Sequence, residues 1–371
     1  VLLFDPIDSS SLKFNIFAKE MLPKNKNDIR AYVNNAANII FAGTNLKNNS
    51  ASADGYFEMA AKSAFSFFAR FLIEKYGYTS IPKIRSKILE DEDTAKIIEN
   101  MLKEEGASEE IKEDGRGVLV AAVSENQWAG VIGSLKETLE LFADTRIKEV
   151  TNSNCDFTGE LLRKEKMSIY LRVQDKDRQR LRPLIAMMLD SVSTQLISKM
   201  PESNDNKITL VLDEFVRLGK MNAISELPSI SRGYGLNLIF AAQDYEQIAL
   251  TYSKEYISIF ESNCAYKIIF RQNNFETADR ISKKIGNKTT DRLSQSKGKS
   301  AGENSSSMFL RASNSKSESS SKEGIALITA QDILNLKDDT CLILVQGFAA
   351  KPIVAKSAMW FKDEKLKELI N

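Results

Sequence analysis

A short, largely apolar strand that ends in two adjacent carboxylates is the part of this sequence best suited to chemistry. The run Ile208–Leu212 is typical of a buried strand, and Asp213 and Glu214 follow it directly. The first acid can hold Mg²⁺ through water, and the second can polarise the water that attacks a γ-phosphate. Buried strands also end in acids because the chain returns there to solvent, so this pair alone leaves both interpretations open.

Two polar residues farther along the chain extend the same interpretation. A strand is predicted over Leu236–Ala242, and Gln243 at its tip could sense the γ-phosphate or position the attacking water. Arg232 lies between a helix end and a glycine-flanked turn, which predicts an exposed guanidinium that could reach the nucleotide of a neighbouring subunit. The alternatives are a strand-ending amide that bonds a loop and a surface arginine without a partner.

Composition narrows the kinds of site that the chain can build. The sequence contains no His, which excludes imidazole general bases, Ser-His nucleophiles and the usual zinc sites. Its three Cys are far apart and form no CxxC pair, so we expect thiols of a reducing compartment. A net charge of +1 argues against a strongly basic surface that coats nucleic acid. No apolar run approaches the ~20 residues of a transmembrane helix.

Strands and helices alternate around the acidic pair. A helix with an apolar stripe is predicted over about 178–199, between the first two members of a strand series. Such alternation predicts an α/β fold with a parallel-rich central sheet, in which ligands lie beyond the carboxyl ends of the strands. The predicted strands of this series are Met167–Val173, Ile208–Leu212, Leu236–Ala242 and Ala265–Phe270.

The remaining segments suggest how the chain is divided. From Asp54 apolar residues recur at three- and four-residue spacing, and Gly77 is placed to end that helix. We predict an all-α insertion domain at 31–149 within an α/β domain formed by 1–30 and 150–371. The Ser-rich residues 294–322 lack the apolar content to fold and are predicted to form a flexible loop.

A phosphate-binding loop is not evident in the sequence. Gly298-Lys299-Ser300 matches the end of the GxxxxGK[ST] pattern, but the first Gly of that pattern would stand at the position of Leu293. We therefore assign no Walker A loop to these residues. Because Val1 is not Met and the chain opens on a predicted strand, we expect a fragment whose N-terminal part is missing.

Several segments together resemble the type IV secretion coupling proteins, the TraG/TraD-like conjugation ATPases. The resemblance begins with the Walker B pair in its Leu-Asp-Glu-Phe-x-x-Leu-Gly-Lys setting and extends, in order, over nearly the whole chain. The matching segments are Phe4-Asp5-Pro6 with Asn15, Leu181-Arg182-Pro183-Leu184, Leu212–Lys220, Arg232-Gly-Tyr-Gly235, Gln243-Asp244, Ser262-Asn263-Cys264, Glu276-Thr277-Ala278 and Leu327–Ile333.

The resemblance implies a fold, a chemistry and a cofactor. The fold is a RecA-like P-loop NTPase core with an inserted all-α domain, and the activity is ATP hydrolysis with Mg²⁺. Carried over by position, Asp213 would hold Mg²⁺ and Glu214 would be the catalytic carboxylate. Gln243 would sense the γ-phosphate, and Arg232 would be an arginine finger that acts on the neighbouring subunit.

The resemblance also implies partners and a location. We expect a homo-hexamer at the cytoplasmic face of the bacterial inner membrane, with the membrane anchor outside this sequence. Its partners would be DNA bound without sequence preference, relaxosome or effector proteins, other secretion-system ATPases and channel components. Whether the cargo is DNA, protein or both stays open.

Departures from the family pattern keep alternatives open. Asn15-Ile-Phe stands where the family has Asn-Pro-Leu, and Ile325-Ala-Leu-Ile-Thr329 where it has Arg-Pro-Leu-Leu-Thr. Without a Walker A loop the chain as given would be a pseudo-ATPase, although truncation is the interpretation that we prefer. The competing functions are a RecA-like DNA translocase of another system and a non-catalytic adaptor that recruits substrates.

Overall fold

The structure is a computed structural model, and it describes residues 1–44, 53–300, 313–349 and 351–369. Two compact units divide the chain, the first formed by Val1–Ala241 and the second beginning at Ala242. No helix in these described ranges combines the length and the apolar character that crossing a bilayer requires.

The described residues form strands and helices that alternate along much of the chain. The strands are β1 (Leu2–Phe4), β2 (Ile169–Leu171), β3 (Ile208–Leu212), β4 (Leu236–Phe240), β5 (Tyr266–Ile269), β6 (Asn287–Ser300), β7 (Ser313–Ala326), β8 (Thr340–Val345) and β9 (Ile353–Lys356). The helices are α1 (Ile29–Thr44), α2 (Ala53–Tyr76), α3 (Ile81–Ile88), α4 (Thr94–Lys103), α5 (Glu109–Leu119), α6 (Glu125–Thr138), α7 (Thr145–Thr151), α8 (Gly159–Lys164), α9 (Arg178–Ser198), α10 (Asn222–Ile230), α11 (Tyr245–Tyr252), α12 (Lys254–Asn263), α13 (Phe275–Ile285), α14 (Ala330–Leu334) and α15 (Glu364–Glu368).

Two pairs of parallel strands form the sheets of the first unit. β1 pairs with β2, and β3 pairs with β4 in a register that sets Ile208 opposite Leu236 and Leu212 opposite Phe240. Each pair is joined through helices, α1–α8 in one case and α10 in the other, as parallel neighbours require. The predicted strand–helix alternation is therefore present, and the carboxyl ends of β3 and β4 lie at one edge.

Helices α1–α7 lie between β1 and β2 and occupy the range that the sequence assigns to an all-α insertion, 31–149. Phenylalanines of α1 and α2, among them Phe41, Phe65 and Phe68, are fully buried in the core of this block. Helix α2 ends where the sequence predicts, because Gly77 takes a positive φ of 77° and its N–H caps the carbonyl of Ile73 at 2.7 Å. The predicted boundaries of a separate insertion domain stay a prediction.

Buried Asn15 ties the segment after β1 to this helical block. Its Nδ2 donates to the carbonyls of Thr79 and Ser153, both at 2.7 Å, and its Oδ1 accepts the N–H of Phe17 at 3.0 Å. Three satisfied hydrogen bonds at a side chain that is 1% exposed fix the chain path where helices begin and end. This residue of the family-like motif therefore has a structural role.

The second unit is built on an antiparallel sheet. Its strands are ordered β5-β8-β9, with Ile268 opposite Ile343 and Ile343 opposite Ile353. Helix α13 packs on one face through apolar side chains. The buried core there comprises Ile269, Ala278, Ile281, Ile285, Ile333, Leu342 and Leu344.

The Ser-rich segment differs from the flexible loop predicted over 294–322. Within the described residues, β6 and β7 form an antiparallel pair in which Asn287 lies opposite Ala326 and Ser300 opposite Ser313. Hydrogen bonds between backbone groups require no apolar side chains, so a Ser-rich sequence can pair in this way. The part of the predicted loop at 301–312 lies outside the described residues.

One buried arginine joins the start of the β3–β4 pair to its surroundings. Arg163 on α8 is 6% exposed, and its guanidinium donates to carbonyls of Leu196 (3.3 Å), Asn206 (3.0 Å), Gly235 (3.5 Å) and Tyr234. These acceptors belong to the end of α9, to the approach to β3 and to the turn before β4. One side chain thus donates to four carbonyls, of which that of Gly235 also accepts the N–H of Ile208 at 3.2 Å.

A buried acid performs a similar task at α10. Asp190 on α9 accepts the N–H of Ala223 at 2.8 Å, in the first turn of α10, where Met221 provides no side-chain cap. Burial raises the pKa of Asp190 to about 6. In the unfolded chain the ordinary pKa of 3.8 applies. Ionisation of Asp190 therefore lowers the free energy of unfolding.

We predict that Arg163→Met lowers the free energy of unfolding of the 371-residue chain by about 3 kcal/mol, because several carbonyls lose their donor. Urea unfolding followed by circular dichroism measures the change. Arg116→Met is the matched control, since the side chain of Arg116 is 64% exposed. Equal stabilities of the two variants would contradict the role of Arg163.

We predict that Asp190→Asn stabilises the fold in a pH-dependent way. The amide keeps an acceptor for Ala223 but carries no charge, so the variant should be more stable than wild type by roughly 2 kcal/mol at pH 8. The gain should vanish as the pH falls through about 6 towards 4, where Asp190 is protonated in the folded chain. Asp175→Asn, at a side chain 79% exposed, is the control. A constant difference between wild type and Asp190→Asn across this pH range would contradict the assignment.

Candidate active site

The acidic pair lies at the carboxyl end of β3, as its sequence setting predicts. Asp213 directly follows the strand and is exposed. The N–H of Ala241 donates to the carbonyl of Leu212 at 3.0 Å, which continues the pairing with β4 to the last residue before Asp213. The carboxylate of Asp213 is thus carried by paired backbone and remains open to solvent.

Glu214 occupies an unusual backbone conformation. It has φ 45° and ψ 43°, one of two positive φ angles at residues other than Gly among the described residues. Such a conformation costs of order 1 kcal/mol and persists where the surrounding structure imposes it, often at functional sites. Here it reverses the chain between β3 and the 3₁₀ turn Phe215–Leu218 and places the two carboxylates on a tight bend.

The carboxylate of Glu214 is held by a neighbour that sequence reasoning did not single out. Arg217 Nη1 lies 2.8 Å from Glu214 Oε2, and the Arg217 N–H donates to the Glu214 carbonyl, also at 2.8 Å. The hydrogen bond between the two side chains raises the pKa of the Arg217 guanidinium above its usual value. The two side chains are 46% and 35% exposed, so the pair is accessible to water.

Two family-like segments meet directly behind this bend. Gly219 has φ 80°, and a Cβ added there would overlap the guanidinium of Arg182. Arg182 Nη2 in turn donates to the carbonyl of Lys220 at 3.2 Å. The Arg-Pro-Leu start of α9 therefore packs on the Leu-Gly-Lys end of the acidic segment, and only Gly fits between them.

Arg232 lies at the other end of the strand pair. It is exposed in the 3₁₀ turn Ser231–Tyr234, which precedes β4 and closes on Gly235 with φ 62°. No hydrogen bond or ion pair of its side chain is found among the described residues. Because β3 and β4 are parallel, a strand of five residues, about 16 Å, separates this turn from the Asp213 edge. The structure does not bring Arg232 together with the acids of its own chain.

Gln243 belongs to the second unit, where its surroundings are well defined. Its Oε1 accepts Gln247 Nε2 at 3.2 Å, and Asp244 caps the start of α11 by accepting the Gln247 N–H at 2.8 Å. The Tyr245 N–H donates to Thr277 Oγ1 at 3.1 Å, which anchors this segment to α13. Gln243 is exposed, and its meeting with Asp213 stays a prediction.

The donor atoms of the acidic bend suit one kind of metal. No group of three or more acidic or Cys side chains that could hold an ion occurs among the residues that the structure describes. Mg²⁺ needs only one or two protein carboxylates when phosphates and water complete its shell. Asp213 with Glu214 fits that requirement, whereas no GxxxxGK[ST] loop for the phosphates exists in the 371 residues.

Comparison with known sequences relates the whole chain to one family. The family described as Type IV secretory system Conjugative DNA transfer matches residues 1–371. Protein VirD4 of Rhizobium radiobacter is 29% identical over 232 residues, which cover 62% of this chain and 32% of VirD4. Conjugal transfer protein TraG of Escherichia coli is 27% identical over 177 residues, 44% of this chain and 27% of TraG. The chain thus spans about a third of the length of the relatives that it matches.

Solved structures show the same fold. The bacterial conjugative coupling protein TrwBΔN70 in its unbound form has a TM-score of 0.61 at 14% identity, covering 96% of this chain and 73% of TrwB. TrwB in complex with the ATP analogue ADPNP has a TM-score of 0.59 at 16% identity, with the same coverage. This likeness confirms the predicted RecA-like α/β fold, and the family match confirms the resemblance read from the motifs. The chain belongs to the type IV secretory system conjugative DNA transfer family.

Proposed function

We propose that this chain forms the catalytic edge of a coupling ATPase of a type IV secretion or conjugation system. The observation that carries the proposal is the pair Asp213 and Glu214 at the carboxyl end of β3, in register with β4. Membership of the conjugative DNA transfer family supports it. The work of the enzyme would be the delivery of DNA–protein or effector substrates to the secretion channel.

The cofactors of the proposal are ATP and Mg²⁺. TrwB, which shares the fold, has been solved with ADPNP and with ADP and Mg²⁺. In this chain Asp213 is the residue that would hold Mg²⁺, through water, and the bound ion would neutralise charge on the phosphates. The phosphate-binding loop that the proposal also requires would have to be supplied by other residues of the gene product.

Glu214 is the proposed catalytic carboxylate. Its position on a strained bend next to Asp213 keeps it beside the metal-binding acid, and its exposure lets water reach the carboxylate. Arg217 Nη1 orients the Glu214 carboxylate from 2.8 Å, and a carboxylate in this position would accept a hydrogen bond from an attacking water. Gln243, held by Gln247 on α11, is the proposed sensor of the γ-phosphate.

Arg232 is proposed to act on a neighbouring subunit. Its separation from the acids of its own chain and its exposed guanidinium support action on a second copy. This placement supports a homo-hexameric ring. We place that ring at the cytoplasmic face of the bacterial inner membrane, with DNA, relaxosome or effector proteins, other secretion-system ATPases and channel components as partners.

The second candidate function is that of a non-catalytic adaptor that recruits substrates through its helical block. The two candidates differ in whether the gene product that contains these 371 residues binds and hydrolyses ATP.

We predict that Glu214→Gln preserves ATP binding but lowers kcat for hydrolysis at least about 100-fold, because the amide cannot accept a proton from the attacking water. Phosphate release and fluorescent-ATP binding by the gene product measure the two effects separately. Glu160→Gln, at a side chain 72% exposed and far from the bend in sequence, should leave both unchanged. Hydrolysis at the wild-type rate in Glu214→Gln would remove Glu214 from the mechanism.

We predict that Arg232→Ala lowers hydrolysis about 1000-fold in the assembled ring. Mixing the Arg232→Ala and Glu214→Gln proteins should restore part of the activity. In mixed rings an intact Glu214 then faces an intact Arg232 from the next subunit. Phosphate release by equimolar mixtures measures the rescue, with Arg116→Ala as a surface control. Two inactive parents whose mixtures stay inactive would contradict action between subunits.

A further inference from the structure

An open cleft of about 670 Å³ lies in the helical block of the first unit. The end of α2, the whole of α3 and helix α7 form its walls, so it is distinct from the acidic bend at β3. Its volume falls in the range of binding sites for small molecules and short peptides. Its lining combines lysines with tyrosines and aliphatic side chains.

Positive charge predominates in this cleft. Lys83, Lys87 and Lys148 line it, together with a single acid, Glu90. Lys87 pairs with Glu90, whereas Lys83 and Lys148 have no carboxylate partner among the described residues. Two uncompensated ammonium groups at one cleft attract an anionic ligand.

The aromatic rings of the cleft are already in contact with cations. Lys83 Nζ lies 4.2 Å from the centroid of the Tyr78 ring, and Lys75 Nζ lies 5.4 Å from that of Tyr76. One face of each ring is thus covered by an ammonium group. Bases of single-stranded nucleic acid bind by stacking on free aromatic faces along a continuous basic track. The cleft has neither fully free aromatic faces nor a continuous basic track.

Apolar and polar groups complete the lining. Leu72 and Pro82 provide buried aliphatic surface. Thr79 is 1% exposed, and its Oγ1 has no hydrogen-bond partner within the described residues. Protein atoms cover this hydroxyl, so the polar groups that a ligand can reach are those of the lysines.

We propose that this cleft binds a short acidic peptide segment of a partner protein. An apolar side chain of the peptide packs on Leu72 and Pro82 where they line the cleft, and its carboxylates pair with Lys83 and Lys148. Charge complementarity selects an acidic segment, and the aliphatic surface selects a peptide with an apolar anchor. Binding requires no nucleotide, so it does not depend on the ATPase activity proposed above.

The test measures fluorescence anisotropy of labelled probes titrated with the 371-residue chain at low salt. The probe is a fluorescein-labelled octapeptide that contains four Glu and two Leu. Its comparators are the same peptide with Lys in place of Glu and a labelled 20-nucleotide single strand. We expect the acidic peptide to bind at least about tenfold more tightly than the basic peptide, and more weakly as salt rises.

Variants locate the binding in the cleft. Lys83→Gln with Lys148→Gln should weaken the acidic peptide at least about tenfold, because both free ammonium groups are lost. Lys103→Gln with Lys136→Gln, exposed lysines of the same block outside the cleft, should leave affinity unchanged. Urea unfolding confirms that the variants fold.

Three results would overturn the proposal. Equal affinity for the acidic and basic peptides would remove charge selection. Unchanged affinity in the double lysine variant would move the site elsewhere. Binding of the oligonucleotide that depends on Lys83 and Lys148, without binding of the acidic peptide, would make the cleft a nucleic-acid site.

Discussion

The parallel register of β3 and β4 is the constraint on which the rest of the first unit depends. It fixes which ends of the two strands share an edge, and so sets Asp213 at one end and the turn of Arg232 at the other. Buried Arg163 secures the start of the pair by bonding carbonyls from three segments. If Arg232 acts at the same nucleotide as Asp213, as we propose, it must do so on a second copy of the chain.

The segments that resemble the family contain two kinds of residue: those that fix neighbouring backbone and those that we propose to act on ligands or on another subunit. Asn15, Arg182 and Thr277 make hydrogen bonds or close packing that fix neighbouring backbone. Asp213 and Arg232, in contrast, are exposed, and no hydrogen bond or ion pair of their side chains occurs in the part of the chain that the structure describes. Asn15 and Thr277 are buried and satisfy backbone groups, whereas the residues that we propose to act on ligands or on another subunit are exposed. The same distinction makes Lys83 and Lys148, which have no acidic partner among the described residues, candidates for binding.

The sequence predicts the elements well and their fine supports poorly. Apolar runs followed by acids locate β3, and helical periodicity with Gly77 locates α2 and its end. The left-handed bend at Glu214 and its pair with Arg217 depend on local geometry that no spacing rule reports. Arg163 is a single arginine on a short helix, so only the folded chain reveals its acceptors. The paired strands at the Ser-rich segment were missed because backbone pairing leaves no apolar pattern.

The most direct test of the account is Mg²⁺-dependent ATP hydrolysis by the gene product that contains these 371 residues. We predict nucleotide binding and phosphate release that require Mg²⁺ and that disappear on chelation, because Asp213 is proposed to act through the metal ion. A gene product that binds no ATP with or without Mg²⁺ would contradict the catalytic assignment. The adaptor function would then be the better explanation of the same fold.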